Sequence, residues 1–342
     1  MIMAEHADNG DGVFVYTGGE QVVPDDVTHV IVDKSVKIIR RYAFCQRHLL
    51  SSIEMHDGIE IIEDYAFYYC PDLKGIKLLG VRVVGKYAFT NTGLKDVEFG
   101  DKLETVGYAA FQRCRSLKSV EMPTVRDIDA NAFKWCYRLT DVEMPDIERI
   151  GNFAFLDCPL DCIIAMPEVE RIGQQAFFNC TRLSRIAIPL KEGIIDGDDV
   201  FDECDLSTVD VVGGIHKTIS SLHLESWRNE MSEGINRINR VLEDTPANEK
   251  TRVIRQWIES VLERLNHFKT EHKALLKEAM TLFELALWKA KLLDEKEEDH
   301  FLGGKQASKR AKIDDETART ELRITSRASD VIKNVLSFLV LE

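Results

Sequence analysis

Apolar residues return with a period of 22 or 23 residues along the first two thirds of the chain. The clearest marker is an alanine-phenylalanine pair, found at Ala43-Phe44, Ala66-Phe67, Ala88-Phe89, Ala110-Phe111, Ala132-Phe133, Ala154-Phe155 and Ala176-Phe177, with Val200-Phe201 as a degenerate further copy. A fixed period in this range predicts a solenoid, because each unit is too short to bury its own apolar side chains and must stack on its neighbours.

The consensus V-x-x-I-G-x-x-A-F-x-x-C-x-x-L-x-x-V-x-M-P assigns parts to each repeat. In the segment LKSVEMP, the apolar residues Val120 and Met122 are separated by a polar residue, which predicts a short strand with one buried face. Pro123 then ends that strand. We expect the glycine to mark a turn and the xxAFxxC segment to form one turn of helix on the opposite side. This glycine recurs as Gly85, Gly107, Gly151 and Gly173.

This pattern resembles the BspA-like class of leucine-rich repeats, whose units read L-x-x-L-x-L-P…I-G-x-x-A-F-x-x-C. The resemblance covers residues 30–212, and it implies a solenoid with a parallel sheet on one face. The class includes bacterial surface proteins and intracellular proteins that are expanded in protists and diatoms. The segments LFELALWKAKLL and RITSRASDVIKNVLSFL look like the tail of the diatom proteins. The resemblance implies no catalytic residues.

The remaining segments lack the period. Residues 1–29 are expected to cap the first coil, since GVFVYTGG is typical of a strand and a turn. After the solenoid (30–214, about eight repeats), apolar residues recur at helical spacing through 215–293, which predicts a helical bundle or, alternatively, a coiled-coil partner surface. The charged segment 294–316 predicts a flexible loop, and 317–342 a C-terminal helical segment. The predicted fold class is therefore an α/β repeat solenoid followed by an all-α helical domain.

The cysteines and the first residues indicate a cellular location. Six of the eight cysteines stand three residues after a phenylalanine, so we expect buried free thiols rather than disulfides. The first twenty residues contain no apolar run of signal-peptide length, and no stretch approaches the about 20 apolar residues of a membrane helix. These patterns predict an intracellular protein with no membrane association.

Charge narrows the class of partner. Residues 1–214 contain 36 acidic and 22 basic residues, whereas residues 215–342 contain 22 of each, so the repeats carry the whole net charge of −14. This balance argues against nucleic-acid binding by the solenoid, because gripping phosphates needs a basic surface. It favours a protein partner, and a basic partner would complement the charge of the repeats.

Outward-facing residues of neighbouring strands should meet on the sheet face, about 4.8 Å apart. Asp96, Glu98, Glu121, Asp141 and Glu143 are expected to form an acidic patch there, flanked by Lys77 on one side and by Ile163 and Arg185 on the other. A solvated face without a partner is the alternative. The predicted docking residues are thus Lys77, Asp96, Glu98, Glu121, Asp141, Glu143, Ile163 and Arg185.

A second candidate lies in the charged loop. The short basic form of a nuclear import signal is matched by Lys309, Arg310 and Lys312. The predicted location is therefore cytoplasmic, and also nuclear if this signal is used. A chance balance for the nearby acids is the alternative.

The sequence offers little chemistry. It contains no G-x-G-x-x-G or H-E-x-x-H motif, and in GGKQ the residue Gln306 stands where a phosphate loop has Ser or Thr. We therefore expect no catalytic, metal or cofactor site and no small-molecule substrate. The predicted function is a non-enzymatic interaction scaffold. The alternatives are a cell-surface adhesion-type protein and an enzyme hidden in the helical domain.

Overall fold

The computed structural model describes residues 13–161, 164–213 and 225–301. One side of the repeats, the front face, carries the strands that the sequence predicts. In β10 (Ser119–Glu121), Val120 points inward and is buried, while Ser119 and Glu121 are exposed. The other front strands are β1 (Val13–Tyr16), β2 (His29–Val32), β4 (Ser52–Glu54), β6 (Gly75–Leu78), β8 (Asp96–Phe99), β12 (Asp141–Glu143), β14 (Ile164–Ala165), β16 (Arg185–Ile188) and β17 (Thr208–Val211). They pair in parallel as β1-β2-β4, β6-β8, β10-β12 and β14-β16-β17.

A second parallel sheet, which the sequence analysis does not predict, forms the back face. Its strands are β3 (Ile38–Ile39), β5 (Ile61–Ile62), β7 (Val83–Val84), β9 (Thr105–Val106), β11 (Asp127–Ile128), β13 (Arg149–Ile150) and β15 (Arg171–Ile172), in the order β15-β13-β11-β9-β7-β5-β3. Each contributes two residues, of which the second is buried. The V-x-x-I part of the repeat therefore forms strand as well.

The third side, the turn face, surrounds each alanine-phenylalanine pair. The predicted turn of helix is wrong here, because the Phe133 N–H donates to the carbonyl of Ala154 in the next coil (2.8 Å) rather than within its own segment. Residues two before and two after the phenylalanine, such as Asn131 and Trp135, have φ of 60° and 66°. These left-handed residues close two successive turns and aim the backbone groups at the neighbouring coil.

The repeat glycines have a different role from the one predicted. None of Gly85, Gly107, Gly151 and Gly173 adopts positive φ. Instead, a Cβ on Gly151 would lie 2.4 Å from the backbone nitrogen of Ala130 in the preceding coil. The glycine thus permits close approach of two coils, and the turning is done by residues with side chains.

The core is a column of rings. The phenylalanines of the eight repeat pairs, Phe44 to Phe201, are fully buried. Neighbouring rings of this set stack with centroids 5.0–5.6 Å apart and planes within 1–9° of parallel. Each coil therefore covers the aromatic ring of the one before it. This arrangement confirms the predicted repeat solenoid.

Helices follow the last coil, as predicted. They are α1 (Glu225–Asp244), a 3-10 turn (Ala247–Glu249) and α2 (Lys250–Phe301). The chain divides into two compact units, residues 1–262 and 263–342. The first unit therefore contains the coils, α1 and the beginning of α2. Helix α2 also continues to Phe301, so it includes the first eight residues of the segment that the sequence analysis assigns to a flexible loop from residue 294.

The beginning of α2 closes the apolar end of the last coil. Thr251 is fully buried there; its hydroxyl donates to Asp202 Oδ1 (2.7 Å) and accepts from the Phe201 N–H (2.8 Å). Lys250 Nζ donates to the carbonyl of Leu206 (2.6 Å). The stripe predicted on this helix is buried at Ile254 and Ile258, so it acts as a cap on the repeats.

Candidate interaction surfaces

The parallel register determines which side chains meet on the front face. Ser119 pairs with Asp141, and Glu121 pairs with Glu143, while the intervening valines point into the core. The same register pairs Lys77 with Glu98. Because directly paired residues lie on the same side of a sheet, outward side chains of paired strands form rows about 4.8 Å apart. In these rows Glu121 adjoins Glu143, whereas Asp141 adjoins Ser119 and Glu98 adjoins Lys77.

These rows contain the acidic strip, defined as Asp96, Glu98, Glu121, Asp141 and Glu143. All five are exposed. Lys77 Nζ lies 2.9 Å from Glu98 Oε2, and that hydrogen bond raises the pKa of Lys77. Within the described ranges, the other four carboxylates of the strip form no ion pair. The strip therefore presents uncompensated negative charge.

A concave groove of about 720 Å³ lies at one end of the strip, across β4, β6, β8 and β10. Its walls include Asp96, Glu98 and Glu121, and its floor includes Val97 and Phe99. These two floor residues are only half-buried, unlike the inward residues of the neighbouring strands. Pairing is also interrupted between β8 and β10, so the groove combines carboxylates with accessible apolar surface.

The remaining predicted residues lie apart from this groove. Arg185 is exposed but its guanidinium is 2.5 Å from Asp210 on β17, so its charge is already neutralised. Ile163 lies outside the described residues, as do Lys309, Arg310 and Lys312 of the proposed import signal.

The back face shows the opposite electrostatic arrangement. Its acids and bases lie side by side in neighbouring coils. They form ion pairs between Lys37 and Glu60, Arg82 and Glu104, Arg126 and Glu148, Arg149 and Asp127, and Arg171 and Asp196. Exposed pairs of this kind contribute little stability each. Their consequence is that the back face is electrostatically balanced and the acidic strip is not.

The turn face holds an aromatic surface that the sequence analysis missed. Seven of the eight tyrosines lie there, at Tyr42, Tyr65, Tyr68, Tyr69, Tyr87, Tyr108 and Tyr137. Tyr65 stacks between Tyr42 (5.0 Å) and Tyr87 (4.9 Å), and burial together with Tyr108 raises the pKa of Tyr87 to about 12. Aligning the repeats and reading the positions just before and after each phenylalanine would have revealed this row.

The described residues show little sign of reactive chemistry. They contain no group of three or more metal-ligating side chains. Cys114, Cys136, Cys158 and Cys180 are fully buried, and burial raises the pKa of Cys114 and Cys136 far above the ordinary 9.0. A thiol in that environment is a poor nucleophile. No described helix is long and apolar enough to span a membrane.

Comparison with known proteins identifies the repeats. A family model described as the BspA type leucine-rich repeat region matches in six copies, over residues 25–140 and 104–226. No curated protein matches the chain.

Solved structures of bacterial repeat proteins are also similar. A leucine-rich repeat protein from Bacteroides ovatus ATCC 8483 is 30% identical over 55% of this chain and 50% of its own, with a TM-score of 0.48. One from Eubacterium ventriosum ATCC 27560 is 23% identical over 52% and 42%, with a TM-score of 0.39. A leucine rich cell surface protein from Faecalibacterium prausnitzii A2-165 is 18% identical over 60% and 90%, with a TM-score of 0.25. The chain thus spans half or less of the first two proteins.

Proposed function

Because the chain belongs to the BspA-type leucine-rich repeat family, we propose that it is a non-enzymatic interaction scaffold whose front face docks a basic segment of a partner protein. The observation that carries this proposal is the contrast between the two sheet faces. On the back face, Glu104, Glu148 and Asp127 each form an ion pair with an arginine. The carboxylates of the acidic strip, apart from Glu98, have no ion-pair partner in the described part of the chain.

The groove supports a more specific partner chemistry. A lysine or arginine side chain has an apolar stem and a charged head. Its stem fits the half-exposed floor of Val97 and Phe99, and its head then reaches Asp96 or Glu121 on the walls. A strand-rich solenoid face is also rigid, so little ordering of the scaffold opposes binding.

A short labelled peptide of alternating arginine and threonine is a suitable probe for fluorescence anisotropy. We expect the full chain to bind it, and the double variant Glu121→Lys with Asp141→Lys to bind at least about tenfold more weakly. The matched control is Asp101→Lys with Glu170→Lys, which changes the net charge equally at exposed positions away from the strip. The control should bind nearly as well as the unmodified chain. Equal losses in both variants would mean that only the overall charge matters, and the docking proposal would be wrong.

We also propose an intracellular location, cytoplasmic and nuclear. The seven described cysteines are free thiols, which suits a reducing compartment. The test is a fusion to a fluorescent carrier too large for passive entry into the nucleus. Replacing Lys309, Arg310 and Lys312 together by alanine should lower its nuclear fraction, and an unchanged fraction would contradict the import signal.

A further inference from the structure

Three cations on the middle coils of the turn face lie over aromatic rings. The guanidinium carbon of Arg113 is 4.7 Å from the ring centroid of Trp135, and Lys134 Nζ is 4.5 Å from the same ring. The guanidinium carbon of Arg115 is 5.7 Å from the ring of Tyr137, which is half-exposed. We define these five residues as the cationic turn patch. Its rings hold the cations in fixed positions at the surface.

The cations of this patch are not neutralised by neighbouring acids. Among the described residues, Arg113, Arg115 and Lys134 form no ion pair. The nearby carboxylate of Asp157 accepts from Trp135 Nε1 (3.0 Å) and from the side-chain amide of Asn179, and it forms no ion pair with these three cations. A chain with a net charge of −14 thus keeps a local group of unpaired positive charges.

We propose that the cationic turn patch binds a glutamate- or aspartate-rich segment of a second partner protein. Charge complementarity carries the proposal: the two guanidinium groups each offer paired N–H donors that match a carboxylate. Tryptophan, tyrosine and arginine are also the residue types that dominate the energetics of protein interfaces. Because their rings already hold the cations in place, the patch loses little side-chain entropy on binding.

The geometry favours carboxylates over nucleic acid. Single-stranded nucleic acid binds to such surfaces by stacking bases on free ring faces. Here a cation already lies over the rings of Trp135 and Tyr137, so a base would have to displace it. A carboxylate instead binds the outer side of the cation and leaves the cation–ring contact intact.

The test uses a short fluorescein-labelled peptide of alternating glutamate and serine with the full chain. We expect it to bind in low salt, and to bind at least about tenfold more weakly in the triple variant Arg113→Gln, Arg115→Gln and Lys134→Gln. The matched control, Lys34→Gln with Lys102→Gln and Lys191→Gln, removes the same charge at positions outside the patch. It should retain affinity within about twofold.

Two further probes separate the outcomes. A glutamine-serine peptide should not bind, and an oligouridine of similar length should bind more weakly than the acidic peptide. Absence of acidic-peptide binding, equal loss in the control variant, or tighter binding of oligouridine that the triple variant abolishes would each overturn the proposal. Salt titration of the unmodified chain gives a readout independent of any variant, since exposed charge pairs are screened over about 8 Å at physiological ionic strength. Because this probe and these variants differ from those of the acidic strip, the two proposals can fail separately.

Discussion

At the residue scale, one side chain carries the stacking of the coils. The phenylalanine of each repeat contacts the ring before it and the ring after it, as Phe133 does with Phe111 (5.3 Å) and Phe155 (5.2 Å). Phe201 has one such neighbour, Phe177 at 5.6 Å, and its other side is closed by the helical cap. The stability contributed by each ring therefore depends on its position in the column.

Replacing Phe133 by alanine should lower the free energy of unfolding by about 3–5 kcal/mol, because a cavity forms between two covered rings. Phe201→Ala should lower it by less, with a difference of about 0.5–1.5 kcal/mol for the missing second ring contact. Urea unfolding of both variants measures the difference. Phe133→Leu is the control, since it keeps most of the buried volume. Equal losses at the two phenylalanines would contradict the dependence on position.

The repeat cysteines have a second residue-scale role. Each Sγ donates to the carbonyl of the phenylalanine in the preceding coil, at 3.0–3.3 Å from Cys70 to Cys204. Burial raises the pKa of Cys70 to about 12 from an ordinary 9.0. Their spacing in the sequence correctly indicated buried thiols, but the hydrogen bond could not be inferred from it, because it depends on how far one coil is displaced from the next.

Because of these buried thiols, we expect the free energy of unfolding to fall at alkaline pH. Burial raises the pKa of four of them, so the folded state keeps these four protonated above the pH at which the unfolded chain releases the proton. They are Cys70, Cys114, Cys136 and Cys180. Their contribution is therefore complete below pH 9.0 and falls as pH rises toward about 12. Each thiol accounts for up to about 1.4 kcal/mol per pH unit in that window. Urea unfolding between about pH 8 and about pH 11 measures the slope, which Cys70→Ala should reduce. A pH-independent free energy of unfolding would contradict this. Native alkylation should leave the six described buried thiols unreacted, and unfolding should make all eight cysteines of the chain reactive.

At the element scale, the sequence predicted the front strands and missed the form of the other two sides. A phenylalanine pointing inward is compatible with a turn of helix and with the observed pair of turns, so the apolar spacing does not separate them. Backbone hydrogen bonds between coils determine which of the two forms. For example, the Phe155 N–H donates to the carbonyl of Ala176 in the next coil (2.8 Å). The back strands were missed because two residues, such as Arg149 and Ile150, are too few to show alternation.

The attachment of the cap, which is the beginning of α2, can be tested by removing the hydroxyl group of Thr251. Thr251→Val keeps the volume but leaves the Phe201 N–H and the Asp202 carboxylate without their partner in a buried site. We expect a loss of about 1–3 kcal/mol in the free energy of unfolding. Thr251→Ser restores the hydroxyl and should recover most of the loss. If valine is as stable as threonine, the cap is attached by apolar contacts such as those of Ile254 alone.

At the scale of the whole molecule, the sequence predicted the acidic strip but not the cationic turn patch. The acidic strip followed from register, because a parallel ladder with a constant repeat places equivalent residues side by side, as in the pairing of Glu121 with Glu143. The cationic turn patch could not be predicted in this way. Its cations come from two coils and its rings from positions that have no fixed residue type, so no single repeat contains the pattern.

The unpaired strip gives the final prediction, which concerns stability rather than binding. Glu121 and Glu143 are paired in register, about 4.8 Å apart, and therefore repel one another. No ion-pair partner adjoins Glu121, Asp141 or Glu143 in the described structure. Glu121→Lys with Asp141→Lys should therefore leave the free energy of unfolding unchanged or raise it slightly, by roughly 0.5 kcal/mol. Added salt should stabilise the unmodified chain more than this variant, because screening relieves a repulsion that the variant no longer has. Urea unfolding at two salt concentrations measures both effects. A loss of more than about 1 kcal/mol would show that the strip stabilises the fold. The acidic residues would then be explained by stability, without a binding partner.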